Sequence, residues 1–289
     1  MIGQIRRMIP DPLQPIVEPI YRRVRRHLNL VQRALDRRTL TESDLRNLLQ
    51  EAGLSNGTVV MVHSSMDELS RRVPGLTPVS FINLLMDLVT TTGTILMPTF
   101  PFRGKQSRYV EQQKHFDVRR TPSQVGLITE VFRRMTSVHR SLHPTHSVAA
   151  WGKLAIPLTS THHLGGAFDT FSPFYKMAEH KGLVLGVGTG LRDSFTILHV
   201  PEELHAIARK RFFEEKVDTM TVCDGAEQFE YTFRVLRANA ERNYERVEAA
   251  LLRDRTLRYL KSGGLSCAVT DAKTFIRRSM QLAEEGKYL

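Results

Sequence analysis

Two polar side chains stand three residues apart in Thr196-Ile197-Leu198-His199-Val200-Pro201-Glu202. On a helix, that spacing puts His199 and Glu202 on one face, where the carboxylate can orient the imidazole. An imidazole titrating near neutrality is suited to take a proton from a reacting group. Pro201 lies between the two and disfavours a continuous helix there. Asp193, just upstream, is a second carboxylate that could orient the ring. Another pair of histidines, His143 and His146, sits in Arg140-Ser141-Leu142-His143-Pro144-Thr145-His146-Ser147. Pro144 forbids a regular helix, so this is not a helical metal box, and either ring could supply the base or contact an acceptor. His63-Ser64-Ser65 follows an apolar run, where polar groups at a strand's C-terminal end face the usual ligand crevice of an open α/β sheet. Phe116-Asp117 precedes Thr121-Pro122-Ser123, in which Thr121 is placed to cap a helix begun by Pro122. A free helix start there would attract a phosphate or a polarised carbonyl. Gly186-Val187-Gly188-Thr189-Gly190 lets backbone approach a ligand but lacks the GxGxxG spacing of dinucleotide sites.

The elements that must hold these groups alternate. Short apolar strands are expected at Val59–His63, Thr94–Pro98, Ser147–Trp151, Leu183–Val187 and Leu265–Val269. Helices are expected at Thr41–Ala52, Pro78–Thr90, Pro122–Met135, Ser172–Lys181, from Ser194 towards Arg211, Arg242–Leu252 and Ala272–Glu285. Asp224-Gly225 between Val217–Cys223 and Gln228–Phe233 is the strongest hairpin signal. Strand–helix alternation plus one hairpin implies an α/β fold layered around a mixed sheet.

The order of the clusters carries a resemblance. HSS after the first strand, FD then TPS, RSLHPTHSVAA, an SP-initiated helix, GVG and TxLHxxE together resemble the aminoglycoside 3-N-acetyltransferase family, also called the antibiotic N-acetyltransferases, from about Val59 to Glu203. The resemblance implies a layered α/β sandwich around a central mixed sheet and acetyl transfer from acetyl-CoA to an amine without a metal. It also implies that His199 is the base, that Glu202 is the motif's acid, and that Ser64, Ser65, Thr121 and Ser123 line the CoA side. His63, Ser64, Ser65, Thr121, Ser123, Arg140 and Ser141 are the candidate co-substrate residues. Asp117, Asp169, Phe171 and Asp193 are the candidate acceptor residues, and His199, Glu202, His146 and His143 the candidate catalytic ones. The family's Gly-x-Gly-Ser-Pro loop reads Asp169-Thr170-Phe171-Ser172-Pro173 here, so an aromatic ring enters space that the family leaves open.

The 289 residues carry a net charge of +11. Residues 1–38 concentrate it, with nine arginines against three acidic residues. They read as a basic helical extension over residues 1–40 that packs on the body or at a homodimer contact, or makes a peripheral membrane contact. Residues 41–289 read as one acetyltransferase domain. No apolar run reaches the length of a membrane span, and Pro10, Pro12 and Pro15 interrupt any signal-peptide core, which points to the cytoplasm. Cys223 and Cys267 show no pairing pattern. A basic surface favours anionic partners, so the expected acceptor is a small-molecule amino sugar linked to a nucleotide, as in surface-polysaccharide synthesis. An aminoglycoside, with antibiotic resistance as the outcome, is the alternative. A zinc-dependent hydrolase or deaminase built on His139, His143, His146, His162 and His163 is a further one. Nucleic acid is not expected, because no stacking platform or recognised motif is present.

Overall fold

Apolar residues alternate between two faces along every central strand. In β1 (Val59–Ser64), Val59 and Met61 enter one buried cluster while Val60 and Val62 enter another. In β2 (Thr94–Pro98), Leu96 joins the first cluster, and Ile95 and Met97 join the second. A sheet buried on both faces needs helices on both, and the computed structural model, which describes residues 38–288, supplies them. The basic extension expected over residues 1–38, with its membrane or dimer contact, falls on residues 1–37, which lie outside the described residues, and Arg38, which the structure shows exposed.

The main sheet has seven strands. It contains β1 and β2 together with β3 (His139–Arg140), β4 (Val148–Gly152), β5 (Leu183–Val187), β6 (Leu257–Ser262) and β7 (Leu265–Asp271), in the order β3-β4-β2-β1-β5-β7-β6. The three inner strands β2-β1-β5 run parallel and the outer four pair antiparallel, which is the mixed sheet expected. One face is covered by α1 (Glu42–Glu51), α2 (Pro78–Val89) and α3 (Leu127–Phe132), through side chains such as Leu45, Phe81 and Phe132. The other is covered by α4 (His199–Leu204), α5 (Ala206–Phe212), α6 (Tyr244–Arg253) and α7 (Ala272–Glu284), through Val200, Phe212, Leu251 and Phe275. The hairpin forms as expected but longer, over Phe213–Asp224 and Glu227–Leu236, and His115–Asp117 adds to it as a parallel third strand. Among the described residues no helix is long and apolar enough to cross a membrane.

Two expectations are corrected. The helix expected from Pro122 spans only Leu127–Phe132. The Glu130 carboxylate reaches back to accept from Ser123 N at 2.6 Å, which holds the intervening chain outside the helix. Thr121 therefore caps no helix, and its hydroxyl instead accepts from Asp117 N at 2.9 Å. The concern over Pro201 also falls. The helix begins at His199, so Pro201 occupies its first turn, where no intrahelical N–H is required.

Gly152 closes the register between β2 and β4. It lies opposite Thr94 with φ +106°, and a Cβ there would overlap the Gly93 carbonyl oxygen. Gly152→Ala should cost about 3 kcal/mol or more in chemical denaturation, from left-handed strain plus backbone overlap.

Candidate active site

The site is built at the C-terminal ends of the parallel strands. β1 delivers His63 and Ser64, β2 delivers Pro98, and the chain beyond β5 supplies Asp193 and His199. These residues line one cavity of about 410 Å³, with Phe100, Phe195, Leu198 and Tyr244 giving much of its apolar wall.

His199 and Glu202 meet as their spacing predicts. Nδ1 lies 2.7 Å from Glu202 Oε2. An ionised carboxylate only accepts, so Nδ1 carries the proton and Nε2 keeps its lone pair. Glu202 itself is fully buried. Burial alone would raise its carboxyl, but His199 and Arg242 outweigh that and hold it below the usual carboxylate range. The Arg242 Nε donates to both carboxylate oxygens, at 3.0 and 3.2 Å, and the Tyr244 hydroxyl donates to Oε1 at 3.1 Å. Neither partner was expected from the sequence. Arg242 and Tyr244 stand forty and more residues downstream, and an arginine and a tyrosine at the start of an amphipathic helix carry no signal that they turn inward. Asp193, the other candidate for orienting the ring, lies exposed on the cavity rim and makes no side-chain bond to His199.

The other candidates divide between the cavity and the framework around it. Burial depresses the His63 imidazole to about 3, so it is neutral. Its Nε2 is buried without a partner, and its ring stacks on Phe195 at 5.5 Å. Ser65 caps the helix Met66–Arg72 by accepting from Glu68 N. Ser123 is buried and shares a 2.8 Å hydrogen bond with Thr129, which lines the cavity. Arg140 acts as an internal clamp. Its Nε donates to Thr99 Oγ1 and Ser147 Oγ, its Nη1 to the Val118 and Thr121 carbonyls, and its Nη2 to the Thr99 carbonyl. Burial lowers its guanidinium to about 9. Ser141 bonds His162 Nδ1 at 2.8 Å. Asp117 and Asp169 accept from backbone N–H groups of their own turns, and Phe171 is exposed.

Of the histidines that a zinc site would draw on, His143, His146 and His162 each commit a ring nitrogen to a protein hydrogen bond, and the described residues hold no group of three His, Cys, Asp or Glu placed to share a metal ion. His143 Nδ1 accepts from the backbone N–H of His146 at 3.1 Å, and His162 Nε2 bonds the Ala167 carbonyl at 2.9 Å. His146 packs against Phe100 and Phe168, and its Nδ1 bonds Thr145 Oγ1 at 3.0 Å. Burial holds the His143 and His146 imidazoles well below their usual value, with neighbouring histidines adding to the effect. Phe168 links this cluster to the active site, since its ring also lies 4.9 Å from that of His199.

A family model described as aminoglycoside 3-N-acetyltransferase matches residues 61–284. The chain belongs to the aminoglycoside 3-N-acetyltransferase family. Aminoglycoside N(3)-acetyltransferase III of Pseudomonas aeruginosa is 30% identical over 182 residues, covering 59% of this chain and 66% of that protein. The aminoglycoside N(3')-acetyltransferase-like protein YokD of Bacillus subtilis is 30% identical over 178 residues, covering 56% and 64%. The matched stretch thus spans just under two thirds of these relatives' length. The YokD crystal structure superposes with a TM-score of 0.71 at 23% identity, covering 87% of this chain and 96% of that one. The structure of AAC-IIIb with CoASH gives 0.69 at 22%, covering 86% and 97%. These likenesses establish the layered mixed α/β fold.

In this family member Arg242 balances a buried charge. Arg242→Met should destabilise the fold by about 3–5 kcal/mol at neutral pH, because Glu202 loses its cation. The pH dependence should also weaken. In the parent, the lowered carboxyl adds stability that is present above the ordinary carboxylate value and lost as pH falls through its depressed one. Without Arg242 the carboxyl should move up from that depressed position, so this loss of stability in acid should shrink. Denaturation midpoints across acid and neutral pH check both.

Proposed function

We propose that the protein transfers an acetyl group from acetyl-CoA to an amino group of an amino sugar of the aminoglycoside class. The observation that carries this reading is the His199–Glu202 pair on the wall of the 410 Å³ cavity at the ends of β1 and β2. His199 Nε2 accepts the amine proton. The amine nitrogen bonds to the thioester carbonyl carbon, the C–S bond breaks, and CoA leaves as a thiol or thiolate. Glu202, fixed by Arg242 and Tyr244, holds the ring in the tautomer that leaves Nε2 free and stabilises the imidazolium that forms.

Negative charge developing on the thioester oxygen needs a donor. The backbone N–H groups of Thr121 and Ser123, expected to serve, are already given to the Asp117 carbonyl and the Glu130 carboxylate. The Ser64 hydroxyl faces the cavity with no side-chain partner among the described residues, and it takes that role here. The apolar wall suits an acyl-pantetheine arm, and the unpaired His63 Nε2 offers a polar contact within it. Neither cysteine lines the cavity, and the reading is direct transfer between co-substrate and acceptor bound together.

The aminoglycoside acceptor is favoured because the curated relatives carry that activity in their names. A nucleotide-linked amino sugar is the second reading. It rests on the net charge of +11, which suits an anionic diphosphate.

His199→Ala should lower thiol release from acetyl-CoA by about 10²–10⁴-fold while CoA affinity stays close to that of the parent. Unchanged turnover would remove His199 from the mechanism. A panel of aminoglycosides against UDP- and dTDP-linked amino sugars separates the two acceptors, and acetylation confined to the nucleotide sugars would reverse their order.

A further inference from the structure

A second cavity of about 390 Å³ opens beside the hairpin sheet, and neither His199 nor Glu202 lines it. One of its walls is Glu203, the neighbour of the active-site acid. Glu203 is 8% exposed. Its Oε2 accepts from Phe168 N at 2.6 Å, but its Oε1 takes no hydrogen bond or ion pair from any described residue. That oxygen lies against Gly166, where a Cβ would overlap it. A largely buried carboxylate that presents one unpartnered oxygen to a cavity is a ready counter-ion for a cationic ligand.

The rest of the cavity narrows the chemistry. Tyr231 and Phe233, both buried, stack at 5.7 Å and form part of the wall. The Tyr231 hydroxyl is spent on the Gly165 carbonyl, so this wall presents ring rather than donor. Leu164 and Val217 line the cavity as well, and both are unusually exposed for apolar residues. The exposed Arg209 and Arg234 line it too, so the mouth is mixed in polarity and charge. A carboxylate beside aromatic rings is an arrangement that can recognise an organic cation.

We propose that this second cavity is a binding site for the ammonium group of a small organic amine, with the Glu203 carboxylate as its counter-ion and the Tyr231–Phe233 rings as its wall. The site stands independently of the acetyl-transfer reading, because binding alone reports it. Its pH dependence has a defined sign. Burial pushes the Glu203 carboxyl up to about 7; Asp169 pushes it the same way, while the Phe168 N–H, Arg209 and Arg234 pull it down. His163 and Glu230 also line the cavity. Ammonium binding therefore strengthens as pH rises through about 7 and Glu203 ionises.

The test uses the full chain without acetyl-CoA, with benzylamine as probe and benzyl alcohol as its neutral counterpart. Backbone NMR follows the Phe168, Gly165 and Gly166 amides. Benzylamine should shift them saturably and bind at least about tenfold tighter than the alcohol, as a charge-assisted contact requires. Glu203→Gln should erase that preference and leave CoA affinity unchanged. Equal binding of the two probes, or a preference that survives in Glu203→Gln, overturns the site. So do shifts confined to His199 and Asp193. Should that variant not fold, the parent decides by itself. The preference for benzylamine must grow from about pH 6 to about pH 8, and a flat profile refutes the proposal. Thiol release with an acceptor is a separate readout, so failure of one reading leaves the other standing.

Discussion

The structure around the active site depends on one buried charge. Glu202 has no exposed side-chain surface, and an isolated carboxylate in such a place would take up a proton. It stays ionised because His199 Nδ1, Arg242 Nε and the Tyr244 hydroxyl converge on its two oxygens. Those three groups come from the start of α4, the loop before α6, and α6 itself. The C-terminal helices therefore complete the electrostatics of the His199–Glu202 pair as well as covering a face of the sheet. The Tyr288 hydroxyl on the Leu198 carbonyl draws the end of the chain against the same turn.

A second constraint acts across the sheet from it. Arg140 is half-buried without a carboxylate partner and is satisfied by two carbonyl-bearing loops and two hydroxyls instead. A guanidinium suits this task because its planar fork can serve several acceptors at once, which an ammonium cannot match. It ties the loop after β2 to the Val118–Thr121 turn and so fixes one wall near the cavity. Phe168 is the corresponding link on the other side, since its ring packs on His199 and His146 while its N–H holds Glu203.

Much of this was legible in the sequence because it was local. Short apolar runs marked β1, β2, β4, β5 and β7, Asp224-Gly225 marked the hairpin, and the three-residue spacing of His199 and Glu202 survived Pro201 because the helix starts just before it. What stayed hidden was set by distant partners. The strand Leu257–Ser262 is an edge strand with charged residues along it, so alternation is blurred. His139–Arg140 is too short to show a period. Thr121-Pro122 has the composition of a helix start, yet the Glu130 carboxylate claims Ser123 N and delays the helix. Arg242 and Tyr244 look like surface residues until the buried acid they neutralise is known. Arg140 and Ser141, taken as co-substrate contacts, turn out to be committed to the framework by bonds to loops that no local pattern foretells.

The same distinction between sum and place bears on the acceptor. The net charge of +11 is a sum over the chain, and residues 1–38 contribute a large share of it. Exposed charges are screened beyond about 8 Å at physiological ionic strength, so such a sum steers encounters but does not set the field inside a pocket. At the catalytic cavity the local inventory differs. Arg192 on the rim is paired with Glu245 and Glu248 at 2.8 and 2.9 Å, whereas the neighbouring Asp193 carboxylate has no side-chain partner among the described residues. Among the described residues lining that mouth, the unpaired charge is therefore negative. An ammonium-bearing sugar meets a favourable field there even though the whole protein is strongly basic, and the argument from net charge against a cationic acceptor loses its force.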